Sequence, residues 1–320
     1  MENPVRTSTH PIIQSAAYVS INQKQIEKIA VRWAEEGMPE ESWNVNIHLD
    51  SKNEKALLTY QFLLDTLNFC FWNKEEERWY IEHQGKKEKG YNGAALSFKK
   101  FFKEHPDKAT FEYLQHVDTK EFEDIFQGGE NLYFLKERQK MVQGVSRKMV
   151  EEYAGDPKKF IEDAKGECSK LVQKIVQELP SFNDEVIYKG EKIYFWKRAQ
   201  ILVGDIWGAL GGEGVGALQH MGWLTAFADY KIPQILRHWN VFEYEKTLEE
   251  KIEQQDFIPQ GSREEIEIRS ATIWAVEYLR DALEKYGVEK NAFEIDWILW
   301  NKSKEGKLPN PHHLTKTIHY

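Results

Sequence analysis

Apolar residues recur three and four positions apart through most of this chain, the spacing that places them on one face of a helix. Gly37, Gly155 and Pro180 each follow such a segment, as residues that stop helices commonly do. The pattern predicts helices over residues 23–37, 53–72, 93–105, 119–127, 131–154, 157–179, 197–210, 217–228, 263–286 and 293–302, with a further helix that begins near residue 230.

Two short segments do not follow the helical period. Residues 77–91 around Gln84-Gly85 and residues 185–195 around Lys189-Gly190 predict β-hairpins, and residues 309–320 follow no period. No linker rich in Pro, Gly or Ser divides the chain. The sequence therefore predicts a mainly α fold, with a single helical domain over residues 1–320 and two small hairpins.

Composition narrows the classes of function. A net charge of −9 does not favour a surface that binds duplex nucleic acid, although a local basic pocket for one phosphate is compatible with it. The two cysteines, Cys70 and Cys168, exclude a disulfide framework and argue against a cysteine zinc site. Because no signal peptide pattern and no long apolar run occurs, we expect a soluble cytoplasmic protein that does not bind membranes.

Several common catalytic motifs are missing. The glycines at 211–216 do not have the spacing of a phosphate-binding loop, and no histidine spacing indicates a metal site. No Gly-x-Ser-x-Gly motif supports an acyl-transfer triad. We therefore look for chemistry that needs neither a metal nor a nucleophilic serine.

The segment from 197 to 237 concentrates charged residues among apolar ones. Arg198, Leu202 and Asp205 would share one helix face, so Asp205 is either half of a buried Arg–Asp pair or a carboxylate in a substrate pocket. Asp229 falls where one predicted helix ends and the next begins. It is either a plain N-cap or a carboxylate that the helix N-terminus holds ionised, able to stabilise the cationic sugar formed in glycosidic cleavage.

The order helix, glycine turn, helix and Asp in residues 197–229 resembles the helix-hairpin-helix DNA glycosylases. A tight turn between two helices is the simpler explanation of the glycines. Six segments in order also resemble the queuosine salvage proteins, the queuosine 5′-phosphate N-glycosylase/hydrolase family: residues 65–72, 90–96, 195–207, 227–236, 265–274 and 311–320. The chain differs from the family pattern at Asn301-Lys302, Leu314 and Lys316.

This resemblance implies a helical fold related to those DNA glycosylases and the hydrolysis of queuosine 5′-phosphate to queuine and ribose 5-phosphate. It implies no metal or organic cofactor. Asp229 would be the catalytic carboxylate, which stabilises the ribosyl cation or attacks C1′. Asp205 would orient the ribose or the water, or recognise the base. The substrate would be a small nucleotide, the protein a monomer, and queuine would return to tRNA modification.

Other substrate contacts follow from the same resemblance. Side chains that would stack on the base or bond its edge are Asn68, Phe71, Trp207 and Glu267, each with a core role as the alternative. Cationic candidates for the 5′-phosphate are Lys197, Arg198, Lys231 and His313, where Arg198 would otherwise hold Asp205. Two other functions stay open from the residues alone: a DNA or RNA base glycosylase, and a non-catalytic helical module that binds a nucleotide.

Overall fold

The computed structural model describes residues 2–39, 46–73, 79–127, 131–306 and 308–320. In these ranges the chain is mainly α, as the sequence predicts. The helices are α1 Pro4–Gln14, α2 Gln23–Glu36, α3 Glu54–Thr66, α4 Gly90–Glu104, α5 Phe111–Leu114, α6 Thr119–Ile125, α7 Leu135–Tyr153, α8 Pro157–Glu162, α9 Cys168–Glu178, α10 Lys197–Ala209, α11 Lys231–His238, α12 Lys246–Glu253, α13 Arg263–Lys285 and α14 Ala292–Lys302.

Six strands form three two-stranded antiparallel sheets. They are β1 Val19–Ile21, β2 Tyr80–His83, β3 Lys86–Lys89, β4 Glu185–Tyr188, β5 Glu191–Tyr194 and β6 Phe242–Tyr244. The β2–β3 and β4–β5 hairpins confirm the two that the sequence predicts, although the predicted start of the first, Glu77, lies outside the described residues. The β1–β6 pair was not predicted, because its strands have three residues each and lie far apart in the chain.

Capping side chains explain where several helices begin. Asn22, Asn53 and Ser262 accept hydrogen bonds from backbone N–H groups in the first turns of α2, α3 and α13. Helix α2 ends at Gly37, whose φ of 92° suits glycine. Helices α1, α5 and α12 have no counterpart among the predicted helices.

Two predicted helices are wrong. The helix predicted over 157–179 is divided into α8 and α9, because Lys165 and Gly166 take positive φ angles of 54° and 71°. The helix predicted over 217–228 does not form. Short 3-10 turns at Gly214–Gly216 and Met221–Trp223 lead instead into an extended segment, residues 224–229.

Side chains of other helices satisfy the backbone of this extended segment. The Gln200 amide bonds both the N–H and the hydroxyl of Thr225, at 2.9 and 3.0 Å, and the Asp296 carboxylate accepts from the N–H of Phe227 at 2.8 Å. Such partners replace intrahelical bonds. The helix–glycine turn–helix unit is therefore not formed, and the resemblance to helix-hairpin-helix DNA glycosylases is not confirmed.

The first helix also holds the approach to this segment. Arg6 donates to the backbone carbonyl oxygens of Gly222, Trp223 and Leu224 at 3.0, 3.2 and 3.0 Å. Its Nε also bonds the buried Glu277 on α13 at 2.8 Å. Arg6 thus links residues 222–224 to α13.

The apolar interior forms one large cluster and a second that surrounds α13. Helix α10 packs on α3 and α9 in the first, whereas α13 packs on α1, α2, α11 and α14. Residues 309–320 lack a regular element, yet Leu314 and Tyr320 are buried and pair with Phe257 and Cys70 through the backbone. Among the described residues no helix combines the length and apolarity needed to cross a bilayer.

Candidate active site

A cavity opens where α10, the extended segment 224–229 and α14 meet the turn after α3. It contains about 600 Å³ of space free of atoms, including the part open to solvent. Its lining residues are Ile47, His48, Asn68, Tyr91, Lys197, Ile201, Asp205, Phe227, Asp229, Asp296, Trp297, Trp300 and Asn301. Asp205 and Asp229, which are 24 positions apart in the chain, therefore share one cavity.

Asp229 lies between the extended segment and the first turn of α11. Its Oδ1 accepts hydrogen bonds from the N–H groups of Lys231 at 2.7 Å and Ile232 at 2.9 Å, so the N-cap geometry predicted from the sequence is present. Burial raises the pKa of this carboxyl above its usual value of 3.8, while the charge of Lys197 and the two N–H donors lower it. No donor among the described residues bonds Oδ2.

Lys197 begins α10 and places its ammonium inside the cavity. The Nζ donates to the backbone oxygen of Asn68 at 2.8 Å and to its Oδ1 at 3.3 Å. Burial lowers the pKa of Lys197 to about 8, against the opposing attraction of Asp229, Asp65 and Asp296. The ammonium thus lies among three carboxyl groups, and its charge favours the ionised form of Asp229.

Asp205, on the same helix as Lys197, is held by Tyr91 and indirectly by His48. The Tyr91 hydroxyl bonds the Asp205 carboxylate, and His48 Nε2 lies 2.9 Å from the same hydroxyl oxygen. Since burial raises the pKa of Tyr91, the tyrosine stays protonated and donates its one proton to Asp205. His48 must then donate from Nε2. Burial lowers the pKa of His48 to about 3, so this donor is a neutral imidazole.

A further carboxyl lies behind Asp205. Asp65 on α3 is fully buried, and its Oδ1 is 3.5 Å from the amide nitrogen of Asn68. Burial and the charge of Asp205 raise the pKa of Asp65 well above its usual value, which favours the neutral acid. Helix α3 therefore supplies a neutral acid beneath the cavity, rather than a third charge.

Helix α14 forms another wall of the cavity. Asp296, Trp297, Trp300 and Asn301 lie on one helical face and line the cavity. Asp296 is only 3% exposed, and its Oδ1 is the acceptor for Phe227 described above. Burial and the charge of Asp229 raise its pKa well above 3.8.

The structure brings four of the ten predicted residues into the cavity: Asn68, Lys197, Asp205 and Asp229. Lys231 lies beside it, since its N–H bonds Asp229 and its Nζ bonds Gln234 at 3.1 Å. Lys304 was not predicted. Its Nζ lies 3.0 Å from the centroid of the Trp300 ring and 2.6 Å from Asn92 Oδ1, which shields the ammonium although the residue as a whole is exposed.

Two cationic candidates for the phosphate lie elsewhere. Arg198 is buried and donates to the backbone oxygens of Thr66 and Ser181, so it neither faces the cavity nor pairs with Asp205. His313 is buried beside Tyr320, and burial lowers its pKa to about 3, so that it carries no charge for a phosphate. Both are corrections to the sequence analysis.

Three candidates for the base also lie outside the cavity lining. Glu267 accepts from the N–H groups of Ala17 and Tyr18 and from Arg263, at 2.9, 2.6 and 2.7 Å, so both its oxygens have structural partners. Trp207 stacks behind Trp297, with 6.4 Å between ring centroids. The Phe71 ring packs against Tyr91, with 6.3 Å between centroids. The two rings support residues that line the cavity.

The sequence analysis missed the contribution of α14. Its one local signal was an aspartate within an apolar run, Phe293-Glu294-Ile295-Asp296-Trp297-Ile298-Leu299. A buried acid at such a position needs a partner, which here is the extended segment that the sequence did not predict. His48 and Tyr91 carried no local signal that they meet Asp205.

The arrangement combines an ionisable carboxylate, a nearby ammonium and aromatic walls in a partly closed cavity. Carboxylates in such a setting stabilise a positive charge that develops on a bound sugar, and they accept hydrogen bonds from the N–H edge of a base. Among the described residues no group of acids, histidines and cysteines is arranged to hold a metal ion.

Comparison with known proteins gives a consistent result. A family model described as queuosine salvage protein matches residues 47–320. The queuosine 5′-phosphate N-glycosylase/hydrolase of Sphaerobacter thermophilus is 37% identical over 319 residues, which cover 99% of this chain and 97% of that protein. Proteins of the same name from Dictyostelium discoideum and Mus musculus are 35% and 30% identical, over 94% and 88% of this chain and 89% and 87% of theirs.

Proposed function

This chain belongs to the queuosine salvage protein family, and we propose that it hydrolyses the N-glycosidic bond of queuosine 5′-phosphate. The products are queuine and ribose 5-phosphate. One structural observation carries the proposal: Asp205 and Asp229 line the same cavity, with the ammonium of Lys197 beside Asp229. The names of the relatives supply the substrate, and the cavity supplies groups suited to its cleavage.

Asp229 is the catalytic carboxylate in this proposal. As the bond between C1′ and the base nitrogen breaks, the ribose gains positive charge, which an ionised carboxylate stabilises. Water then adds to C1′. Lys197 was a phosphate candidate in the sequence analysis, but its place among carboxylates supports a different role, in which its charge keeps Asp229 ionised.

Asp205 recognises the base in this proposal. The base has a guanine-like edge of N–H donors, and a carboxylate that Tyr91 holds in place is a matching acceptor. Trp297 and Trp300 offer flat aromatic surfaces for stacking, in the role first given to Phe71 and Trp207. Asn68 lines the same cavity and presents its side chain between Asp65 and Lys197.

Lys231 and Lys304 are the proposed phosphate ligands. Burial and repulsion from Lys231 lower the pKa of Lys304, which supports a shared role for the two ammonium groups in binding one anion. A phosphate dianion between them would relieve that repulsion and offset the cost of desolvation. Because the cavity is lined by Asp205, Asp229 and Asp296, a phosphate is disfavoured in its interior. The substrate would therefore bind with its phosphate toward Lys231 and Lys304.

The direct test is incubation of the purified protein with queuosine 5′-phosphate and detection of free queuine and ribose 5-phosphate by mass spectrometry. Catalytic release of both products is expected. Tight binding without release would instead indicate a nucleotide-binding module, and release of bases from oligonucleotides at moderate salt would indicate a nucleic acid glycosylase.

The proposal also covers the cofactor requirement, the cellular location and the oligomeric state. Hydrolysis consumes only the nucleotide and water, so no cofactor is required. We place the enzyme in the cytoplasm as a monomer, where released queuine returns to tRNA modification.

A further inference from the structure

We propose that Asp296 is the general acid of the reaction, which gives its proton to the departing base while Asp229 stays ionised. This rests on the proposed function and adds a catalytic residue to it. Asp229 and Asp296 both line the cavity, and they differ in their hydrogen bonds and in their charged neighbours.

The hydrogen bonds of the two carboxyls differ. Asp229 accepts from two backbone N–H groups at its Oδ1, whereas Asp296 accepts from one, the N–H of Phe227. Among the described residues no further hydrogen bond to Asp296 is present. Because each N–H donor favours the ionised form, the negative charge belongs on Asp229 and the proton on Asp296.

The charged neighbours of the two carboxyls also favour the negative charge on Asp229 and the proton on Asp296. Lys197 on α10 and Lys231 on α11 both lower the pKa of Asp229. At Asp296 the charge of Asp229 raises the pKa, while the hydrogen bond from Phe227 and the charge of Lys197 lower it. Two acids whose surroundings differ in this way commonly divide the roles of proton donor and charge stabiliser.

The departing base needs a proton as the C1′–N bond breaks. Queuine is a 7-deazaguanine, so it has no N7 that could accept a proton before the bond breaks. The electrons of the C1′–N bond pass to the base, the Asp296 carboxyl transfers its proton to the base as it leaves, and water adds to C1′. The proton that the added water loses returns to the Asp296 carboxylate, so the cycle ends with the enzyme unchanged.

Substitution can separate a proton donor from a structural clamp. In Asp296→Asn the amide oxygen still accepts from Phe227, but the side chain has no acidic proton. We expect the melting temperature to be preserved, KM to change little and kcat to fall by about 100- to 10,000-fold, the usual range for loss of a general acid. Asp296→Ala removes both functions and should also lower the melting temperature.

A kcat of Asp296→Asn within about threefold of the unmodified enzyme would overturn the inference, since loss of a general acid costs at least about 100-fold. If that variant does not fold, single-turnover rates of the unmodified enzyme in H₂O and D₂O provide the second measurement. A slower rate in D₂O is expected, and equal rates would refute proton transfer in the chemical step. If the unmodified enzyme releases no queuine, the proposed function fails before Asp296 is tested.

Discussion

The ammonium of Lys197 donates a 2.8 Å hydrogen bond to the backbone oxygen of Asn68, which ties the start of α10 to the turn after α3. This bond holds the ammonium where it acts on Asp229, Asp65 and Asp296 together. Lys197 therefore influences the protonation of all three carboxyls in and beside the cavity.

Asp229→Asn should abolish turnover and leave the fold intact. The amide oxygen can still accept from the N–H groups of Lys231 and Ile232, so the start of α11 keeps its cap, but the negative charge is lost. We expect queuine release to fall by at least about 100-fold. Asp229→Ala is the control, since it should also cost about 1 kcal/mol of stability through the lost cap. Full activity of the Asn variant would exclude the catalytic role.

Lys197→Met should move the acidic limb of the pH profile to higher pH. The pKa of Asp229 already lies above 3.8, so kcat/KM should fall as the pH drops through that raised value and Asp229 becomes protonated. Without the Lys197 charge, which lowers this pKa, protonation should occur at higher pH. A profile of kcat/KM against pH measures the shift. An unchanged acidic limb would show that Lys197 does not control Asp229.

Tyr91→Phe should weaken recognition of the base more than it affects the chemical step. The change removes the hydroxyl that bonds Asp205 and His48 but keeps the ring against Phe71 and Trp300. Loss of one partner from a buried polar group costs about 1–3 kcal/mol. We therefore expect weaker binding of free queuine in calorimetry and a raised KM. Equal affinity in the two proteins would argue against a role for Asp205 in base recognition.

Lys304→Ala should raise KM for queuosine 5′-phosphate and have little effect on cleavage of queuosine without the phosphate. The reason is that its ammonium, above the Trp300 ring, would contact only the phosphate. Lys304→Glu should have the larger effect, because it adds repulsion. A matched control is Lys302→Ala, since Lys302 bonds Glu305 on the surface instead. Equal effects of Lys304→Ala on both substrates would place the phosphate elsewhere.

Glu267→Gln should destabilise the protein and leave kcat unchanged. An amide side chain has only one oxygen, so it cannot accept from the Ala17 and Tyr18 N–H groups and from Arg263 as the two carboxylate oxygens do. Leaving buried donors without an acceptor costs about 1–3 kcal/mol, measurable by denaturant titration. A selective loss of base affinity in a stable variant would restore Glu267 to the substrate site.

The sequence predicts those parts of the fold that local signals determine. The start of α2, the turn of each hairpin and the N-cap position of Asp229 depend on residues within a few positions of one another, and all were predicted. The helix predicted over 217–228 does not form because contacts with residues distant in the chain determine the structure there. Its backbone is satisfied by Gln200 and Asp296, whose proximity in space is invisible in a local pattern.

The same distinction applies to the site. Asp205 and Asp229 could be selected because each lies in a segment that resembles the queuosine salvage family. Asp296, His48 and Tyr91 reach the cavity only through packing between distant helices. Arg198 and His313 are not among the residues that line the cavity, because both are buried against other groups, which no local pattern indicates.

The contacts of Arg6 have a consequence for any shortened version of the protein. The family match begins at residue 47, yet Arg6 holds the carbonyl oxygens of residues 222–224, five to seven positions before Asp229, the proposed catalytic carboxylate. A truncated protein that begins at residue 47 would keep every residue that lines the cavity. It would lose the Arg6 hydrogen bonds that hold residues 222–224, the segment that leads to Asp229. The start of the family match and the start of the working enzyme therefore differ.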